Sequence, residues 1–135
     1  MPVVDASVLV TVLAGAEHAR WAEAQLSENG VRGSLWAPYL IDAEVGHSLR
    51  RRVGADQLQA NDARAALFDL ARFPLRRIAH SELLDRAWAL RHNLSFYDGL
   101  YVALAERLEI PLLTLDSRLA KAAGAATPIT VLTAS

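Results

Sequence analysis

Short apolar runs that read as strands alternate with helix-period segments along the chain, and that alternation leaves few folds open. Pro2 to Val4 is a β-branched run that stops at Asp5, and Ala6 to Ala14 reads as a helix ending at Gly15. Glu17 to Ser27 is a second helix, closed by Asn29-Gly30. Leu35 to Ala37 reads as strand two. Pro38 then favours a helix start, and Tyr39 to Val53 carries the next helix up to Gly54. Ala55 to Ala71 is expected to be helical, Leu75 to Ile78 to be strand three, and His80 to Arg91 to be a helix entered through Ser81. Ser95 is placed to cap the helix that holds Asp98. Leu112 to Leu115 reads as strand four, Asp116 to Ala123 as a short helix and Ile129 to Leu132 as strand five. Strands separated by helices imply parallel pairing, hence a three-layer α/β/α sandwich around a central, mainly parallel five-stranded sheet. The chain has 135 residues, 53% of them apolar, which suits one core and a single domain over residues 1–135.

In such sheets ligands bind outside the carboxyl ends of the strands. Asp5 follows strand one and Asp116 follows strand four, so two strands far apart in sequence end in the same residue type on that edge. Two helices add acids. On the helix after Ser95, Asp98 falls on the shoulder of the apolar face made by Leu100, Tyr101, Leu104 and Leu108. On the helix from Tyr39, both Asp42 and Glu44 fall within the apolar arc, and periodicity does not choose between them. Taken singly, Asp5 and Asp116 are as well explained as helix N-caps, and Asp98 and Glu44 as ordinary partly exposed charges. Jointly, two strand ends and two core-facing helix shoulders form a pattern.

If these acids converge, their repulsion must be relieved by protons or by a cation. An all-oxygen donor set, without cysteine and without a paired-histidine spacing among His18, His47, His80 and His92, suits Mg²⁺ or Mn²⁺ rather than zinc. A hard cation with waters left over suits phosphate ester chemistry. The net charge of −1 gives no global attraction for nucleic acid, so such a partner would need a local patch. Absent cysteine fits a reducing compartment, and a cytoplasmic location is expected. The opening segment lacks a basic leader and is broken by Asp5, so neither a signal peptide nor a membrane span is expected. Thirteen arginines stand against Lys121 alone; genomic base composition explains that bias better than phosphate binding does.

The ordered set "VVDASVLV", "APYLIDAEVGHSLRR", "SFYDGLYVALA" and "LLTLDSRLAKAA" resembles the PIN domain, and most nearly the VapC toxins of type II toxin–antitoxin pairs. The resemblance covers essentially the whole chain, and no single motif in it is specific. It favours Glu44, followed by aliphatic Val45, over Asp42. Gly99 stands where the family usually has alanine, which should weaken the helix slightly.

The resemblance implies an endoribonuclease in which Asp5, Glu44, Asp98 and Asp116 hold Mg²⁺ or Mn²⁺, and an activated water attacks a phosphodiester in line. Asp5, Asp98 and Asp116 are expected as metal ligands, with Glu44 completing the site and orienting the water. Ser7 and Thr114 are candidates to brace these acids by hydrogen bonds, with ordinary turn and strand roles as the alternative. Arg118 could reach a scissile phosphate. Arg51, in the basic run Arg50 to Arg52, lies two turns beyond Glu44 on the same face and could meet RNA backbone or antitoxin; at least one of the three is expected as a solvated helix end. Trp21, Trp36 and Trp88 are read as core, with stacking on bases as the alternative, and Tyr97 and Tyr101 as core and dimer contacts. The implied partners are a tRNA or rRNA substrate, a VapB-type antitoxin and a second copy of the chain, with operator DNA bound only through the antitoxin and no membrane. The alternatives are a PIN nuclease of RNA processing and a PIN-like module without catalysis. A haloacid-dehalogenase-like phosphatase fits poorly, because Ser7 stands where its second acid belongs. A receiver domain lacks its acidic pair here.

Overall fold

A computed structural model of the chain describes residues 1–15, 19–29 and 34–134. The strands are short: β1 Val3–Val4, β2 Leu35–Pro38, β3 Leu75–Ile78, β4 Leu112–Leu113 and β5 Val131–Leu132. Between and beside them lie α1 Ala6–Ala14, α2 Ala19–Asn29, α3 Leu40–Gly54, α4 Ala60–Arg72, α5 Leu84–Ala89, α6 Phe96–Leu108 and α7 Ser117–Ala126. Every strand pairing is parallel, in the order β3-β2-β1-β4-β5, and helices flank the sheet in a three-layer α/β/α sandwich.

That order decides where a ligand can sit. The chain winds outward from β1 through β2 to β3, then returns to the other side of β1 for β4 and β5. The direction of winding reverses between β1 and β4, the switch point at which open α/β sheets leave a crevice. Val3 pairs with Leu112 and Val4 with Leu113. The next residues along the two strands, Asp5 and Thr114, therefore leave the sheet side by side.

Local signals fix the helices that meet this edge. The Asp5 carboxylate accepts the Val8 N–H at 3.3 Å and starts α1, while Gly15, at φ 67°, ends it in the left-handed conformation. Ser95 accepts the Asp98 N–H at 3.1 Å and starts α6. Asp116 accepts the N–H groups of Arg118 and Leu119 and starts α7. Helix α6 is the central one: Gly99 to Ala105 are all buried, and it lies across β1, β2 and β4 with α5 packed against it. Each large side chain it buries, such as Leu100 or Leu104, contributes roughly 1.5–3 kcal/mol, so the backbone that carries Asp98 is firmly seated.

Gly99 has a packing reason. A Cβ there would stand 3.2 Å from the Ala87 carbonyl oxygen and 3.3 Å from its Cα, so the glycine lets α5 approach α6. Gly99→Val is expected to destabilise the protein by roughly 1–3 kcal/mol, despite its better helix former, because the backbone of Ala87 must move. The urea midpoint measures this; an unchanged midpoint would remove the close approach as the reason for glycine.

Some boundaries differ from the sequence expectation. The helix expected over residues 55–71 begins only at Ala60, because Asp56 turns left-handed at φ 57° and the Gln57 N–H folds back on the Arg52 carbonyl. The helix expected from His80 to Arg91 shrinks to Leu84–Ala89. Ser81 does not cap it, since its N-cap is Leu83, without a side-chain bond, and the His80 ring instead accepts the Leu40 N–H at 3.0 Å. Strands β4 and β5 are two residues each, shorter than expected, and α7 extends on to Ala126. Trp88 is 59% exposed with Arg91 stacked on its ring, so it is not core. Trp21 and Trp36 do pack against the core. Glu17, His18 and Gly30, where the second helix was expected to open and close, lie outside the described residues.

Candidate active site

The carboxyl edge of β1 and β4 is stitched together by two hydroxyls. Ser7 Oγ donates to Asp5 Oδ1 at 2.5 Å and accepts the Leu115 N–H at 2.9 Å. Thr114 Oγ1 donates to Asp5 Oδ2 at 2.5 Å and accepts the Asp116 N–H at 3.0 Å. Each hydroxyl therefore ties the Asp5 carboxylate to the backbone that delivers Asp116. Asp5 is only 5% exposed and has both oxygens engaged.

A cleft of about 750 Å³ opens above this edge, and Asp5, Glu44, Asp98 and Asp116 all line it. Asp5 arrives from the end of β1, Glu44 from the second turn of α3, Asp98 from the first turn of α6, and Asp116 from the loop after β4. Their protonation records the crowding. Burial raises the Asp5 pKa from 3.8 to about 6 against the pull of its hydrogen bonds, with the Asp116 charge adding to the rise. Burial also raises Glu44 and Asp98; Asp98 adds to the first and Asp116 to the second. These acids lie near enough to feel one another in a site that disfavours charge.

Asp42, the other acid of α3, goes elsewhere. Arg77 grips it with two parallel bonds, Nε to Oδ2 at 2.8 Å and Nη2 to Oδ1 at 2.9 Å, and Nη2 also reaches the Leu70 carbonyl. Asp42 thus joins α3 to β3 and α4.

The basic candidates divide. Arg51 and Arg52 line the cleft, while Arg50 is exposed away from its lining. Arg118 does not line it; its side chain is 85% exposed, with Nη2 3.8 Å from Asp116 Oδ2. Glu44, His47, Ser48, Arg51 and Arg52 follow helical spacing on one face of α3, so an acid floor grades into a basic bank. His47, not singled out in the sequence beyond its lack of a paired-histidine spacing, stands on that bank; its offset of three residues from Glu44 was the available signal. Tyr97, expected as a core and dimer contact, is 61% exposed at the cleft wall, so it is not core. Tyr101 is core as expected, yet it also reaches the cleft. None of the three tryptophans lines it.

Four carboxylates without sulfur form a donor set for a hard cation. Among the described residues, no three acidic or histidine side chains already stand as a ready cage. The arrangement fits an ion that keeps several of its waters and takes one or two carboxylates directly, as Mg²⁺ does.

The PIN domain family matches residues 3–125, a span that holds the first four strands and all four cleft acids. Ribonuclease VapC1 of Mycobacterium tuberculosis is 49% identical over 124 residues, 90% of each chain. The chain belongs to the PIN-domain family, in its VapC branch. Its fold is shared by crystal structures of VapC20 from Mycobacterium tuberculosis, a Sarcin-Ricin loop cleaving toxin, and of VapBC2 from Rickettsia felis bound to a DNA fragment from their promoter. The first has a TM-score of 0.69 at 20% identity, covering 90% of this chain and 95% of that one. The second has a TM-score of 0.67 at 11% identity, covering 98% of both.

Proposed function

We propose that this chain is a metal-dependent endoribonuclease, the toxin of a type II toxin–antitoxin pair, which inhibits translation by cutting tRNA or rRNA. The observation that carries the reading is the convergence of Asp5, Glu44, Asp98 and Asp116 on one cleft, in a chain nearly half identical to a ribonuclease VapC. Asp5, Asp98 and Asp116 would hold Mg²⁺ or Mn²⁺, with Glu44 completing the site. When bound, such an ion neutralises the acids and supplies an activated water and a clamp for the phosphodiester. Ser7 and Thr114 fix the Asp5 carboxylate, so that ligand is oriented before anything binds. Glu44 orients the attacking water. Arg51 on the basic bank binds flanking phosphates, with Arg118 reaching in from outside the cleft. A VapB-type antitoxin is the proposed inhibitor, covering the cleft with a basic side chain against the acids and carrying any contact with operator DNA. Two copies of the chain form the proposed dimer. Among the described residues no helix is long and apolar enough to cross a membrane.

The test is cleavage of cellular RNA by the purified protein, with mapping of the new 5′ ends. Discrete cuts in a tRNA or rRNA, stopped by EDTA and restored by Mn²⁺, are expected. Because a ligand that binds only the native state stabilises it, Mn²⁺ should also raise Tm; at a free concentration 100-fold above Kd the gain is about 2.7 kcal/mol. Cleavage that persists in excess chelator would refute the metal. Cleavage without growth arrest on expression would instead make the protein a nuclease of RNA processing.

A further inference from the structure

Tyr101 is 1% exposed, yet its hydroxyl faces the acid cleft and has no hydrogen-bond partner among the described residues. A buried hydroxyl left unpaired in a native core calls for a reason. A purely structural ring at this position could be phenylalanine. The acceptors around it are unequal. Asp5 already takes Ser7, Thr114 and the Val8 N–H. Asp98 shares the helix of Tyr101 but bears on the phenol less strongly than Glu44 does. Glu44 accepts no hydrogen bond within ordinary geometry from another described residue, and it is the nearest charge in effect: after burial, its carboxylate does most to keep the phenol protonated. Both residues line the same cleft, and the phenol in turn holds the Glu44 pKa down against burial, so the two groups lie within reach of each other.

We propose that Tyr101 is a positioning residue, whose hydroxyl donates to the Glu44 carboxylate and holds it facing the other acids when the cleft is occupied. Glu44 is carried on a different helix from Asp98 and, unlike Asp5, has no hydroxyl of its own to fix it. Tyr101 supplies on α6 what Ser7 and Thr114 supply at the strand ends. The inference rests on the ribonuclease reading of the cleft, but its decisive measurement does not need turnover.

Tyr101→Phe keeps the ring and removes the donor. Mn²⁺ binding, followed by the rise of Tm with Mn²⁺, should weaken about tenfold, and kcat for RNA cleavage should fall about ten- to hundredfold with KM little changed, the usual cost of losing a partner that orients a ligand. Tm in EDTA should be unchanged or higher, because no made bond is lost. The double variant with Glu44→Gln should bind Mn²⁺ no more weakly than Glu44→Gln alone, since the hydroxyl acts only through that carboxylate. Mn²⁺ binding equal to wild type would overturn the assignment, as would full additivity in the double variant. A fall of Tm in EDTA matching the loss of function would show a packing role instead and overturn it too. A wild-type protein that cuts no RNA would sink the ribonuclease reading alone; the Mn²⁺ comparison would still decide Tyr101.

Discussion

Asp98→Asn should reduce RNA cleavage at least about a hundredfold, because removing even an outer partner of a metal ligand costs ten- to hundredfold and Asp98 is assigned to the ion itself. The fold should survive. The helix start depends on Ser95 Oγ accepting the Asp98 backbone N–H, which asparagine retains. No ion pair within hydrogen-bonding distance is formed by this carboxylate among the described residues, and burial chiefly raises its pKa, with the like charge of Asp116 adding to the rise against Ser95 and Arg118. Replacing a half-buried charge with a neutral isostere relieves that repulsion, so Tm in EDTA should stay equal or rise slightly. Two measurements decide it: the initial cleavage rate on a mapped RNA fragment, and the melting curve of the same preparation. Full activity in a folded Asp98→Asn protein would remove Asp98 from the site, and with it the argument that a mid-chain helix shoulder was held acidic for chemistry. Growth inhibition on expression should disappear in parallel.

Much of this was legible because the informative signals are local. Caps, glycine stops and apolar periodicity are short-range, so α1, α3 and α6 begin within a residue or two of where the sequence places them, and the switch-point edge follows from the element order. Capping a helix and lining the cleft are not rivals. Asp116 spends Oδ1 on two N–H groups and still lines the cleft, and Asp5 both starts α1 and forms its floor. A residue that begins a helix at the carboxyl end of a parallel strand is delivered to the ligand edge by the same geometry that makes it a cap.

What stayed illegible is long-range. Periodicity put Asp42 and Glu44 on the same arc, and only the arrival of Arg77 on β3, thirty-five residues later, takes Asp42 out of the cleft. Gly54 announces the end of α3, but the left-handed residue of the turn is Asp56, which nothing in the pattern marks, and the next helix is displaced to Ala60. Trp88 looks like core by residue type, but α5 is only six residues long and turns that face outward. The unpaired hydroxyl of Tyr101 has no sequence signature at all, because it depends on the distance between two helices whose packing only the folded chain fixes.

Asp5→Asn should make the metal-free protein more stable at pH 7.5 while removing its activity and its response to Mn²⁺. The Asp5 pKa stands at about 6 in the folded chain against 3.8, chiefly because the group is buried. A carboxyl raised on folding binds its proton more tightly in the native state than in the unfolded chain. Its contribution is therefore fully present below pH 3.8 and is lost as pH rises through about 6. A shift of this size corresponds to roughly 3 kcal/mol at full range. Between pH 5 and pH 7.5, roughly 1–1.5 kcal/mol of it should vanish. Glu44 and Asp98, also raised, push the same way with less weight because water reaches them. Urea midpoints in EDTA should accordingly fall for the wild type from pH 5 to pH 7.5, whereas Asp5→Asn, neutral throughout, should show a smaller fall and stand about 1–2 kcal/mol above wild type at the higher pH, because the amide nitrogen replaces one of the two acceptors that Ser7 and Thr114 use, at about 1 kcal/mol. Adding Mn²⁺ should restore the wild type at pH 7.5 and leave the variant where it was. A wild type equally stable at both pH values, together with a variant that gains nothing, would mean that the charge on Asp5 costs the fold nothing. The cleft would then have no electrostatic need that a cation could meet.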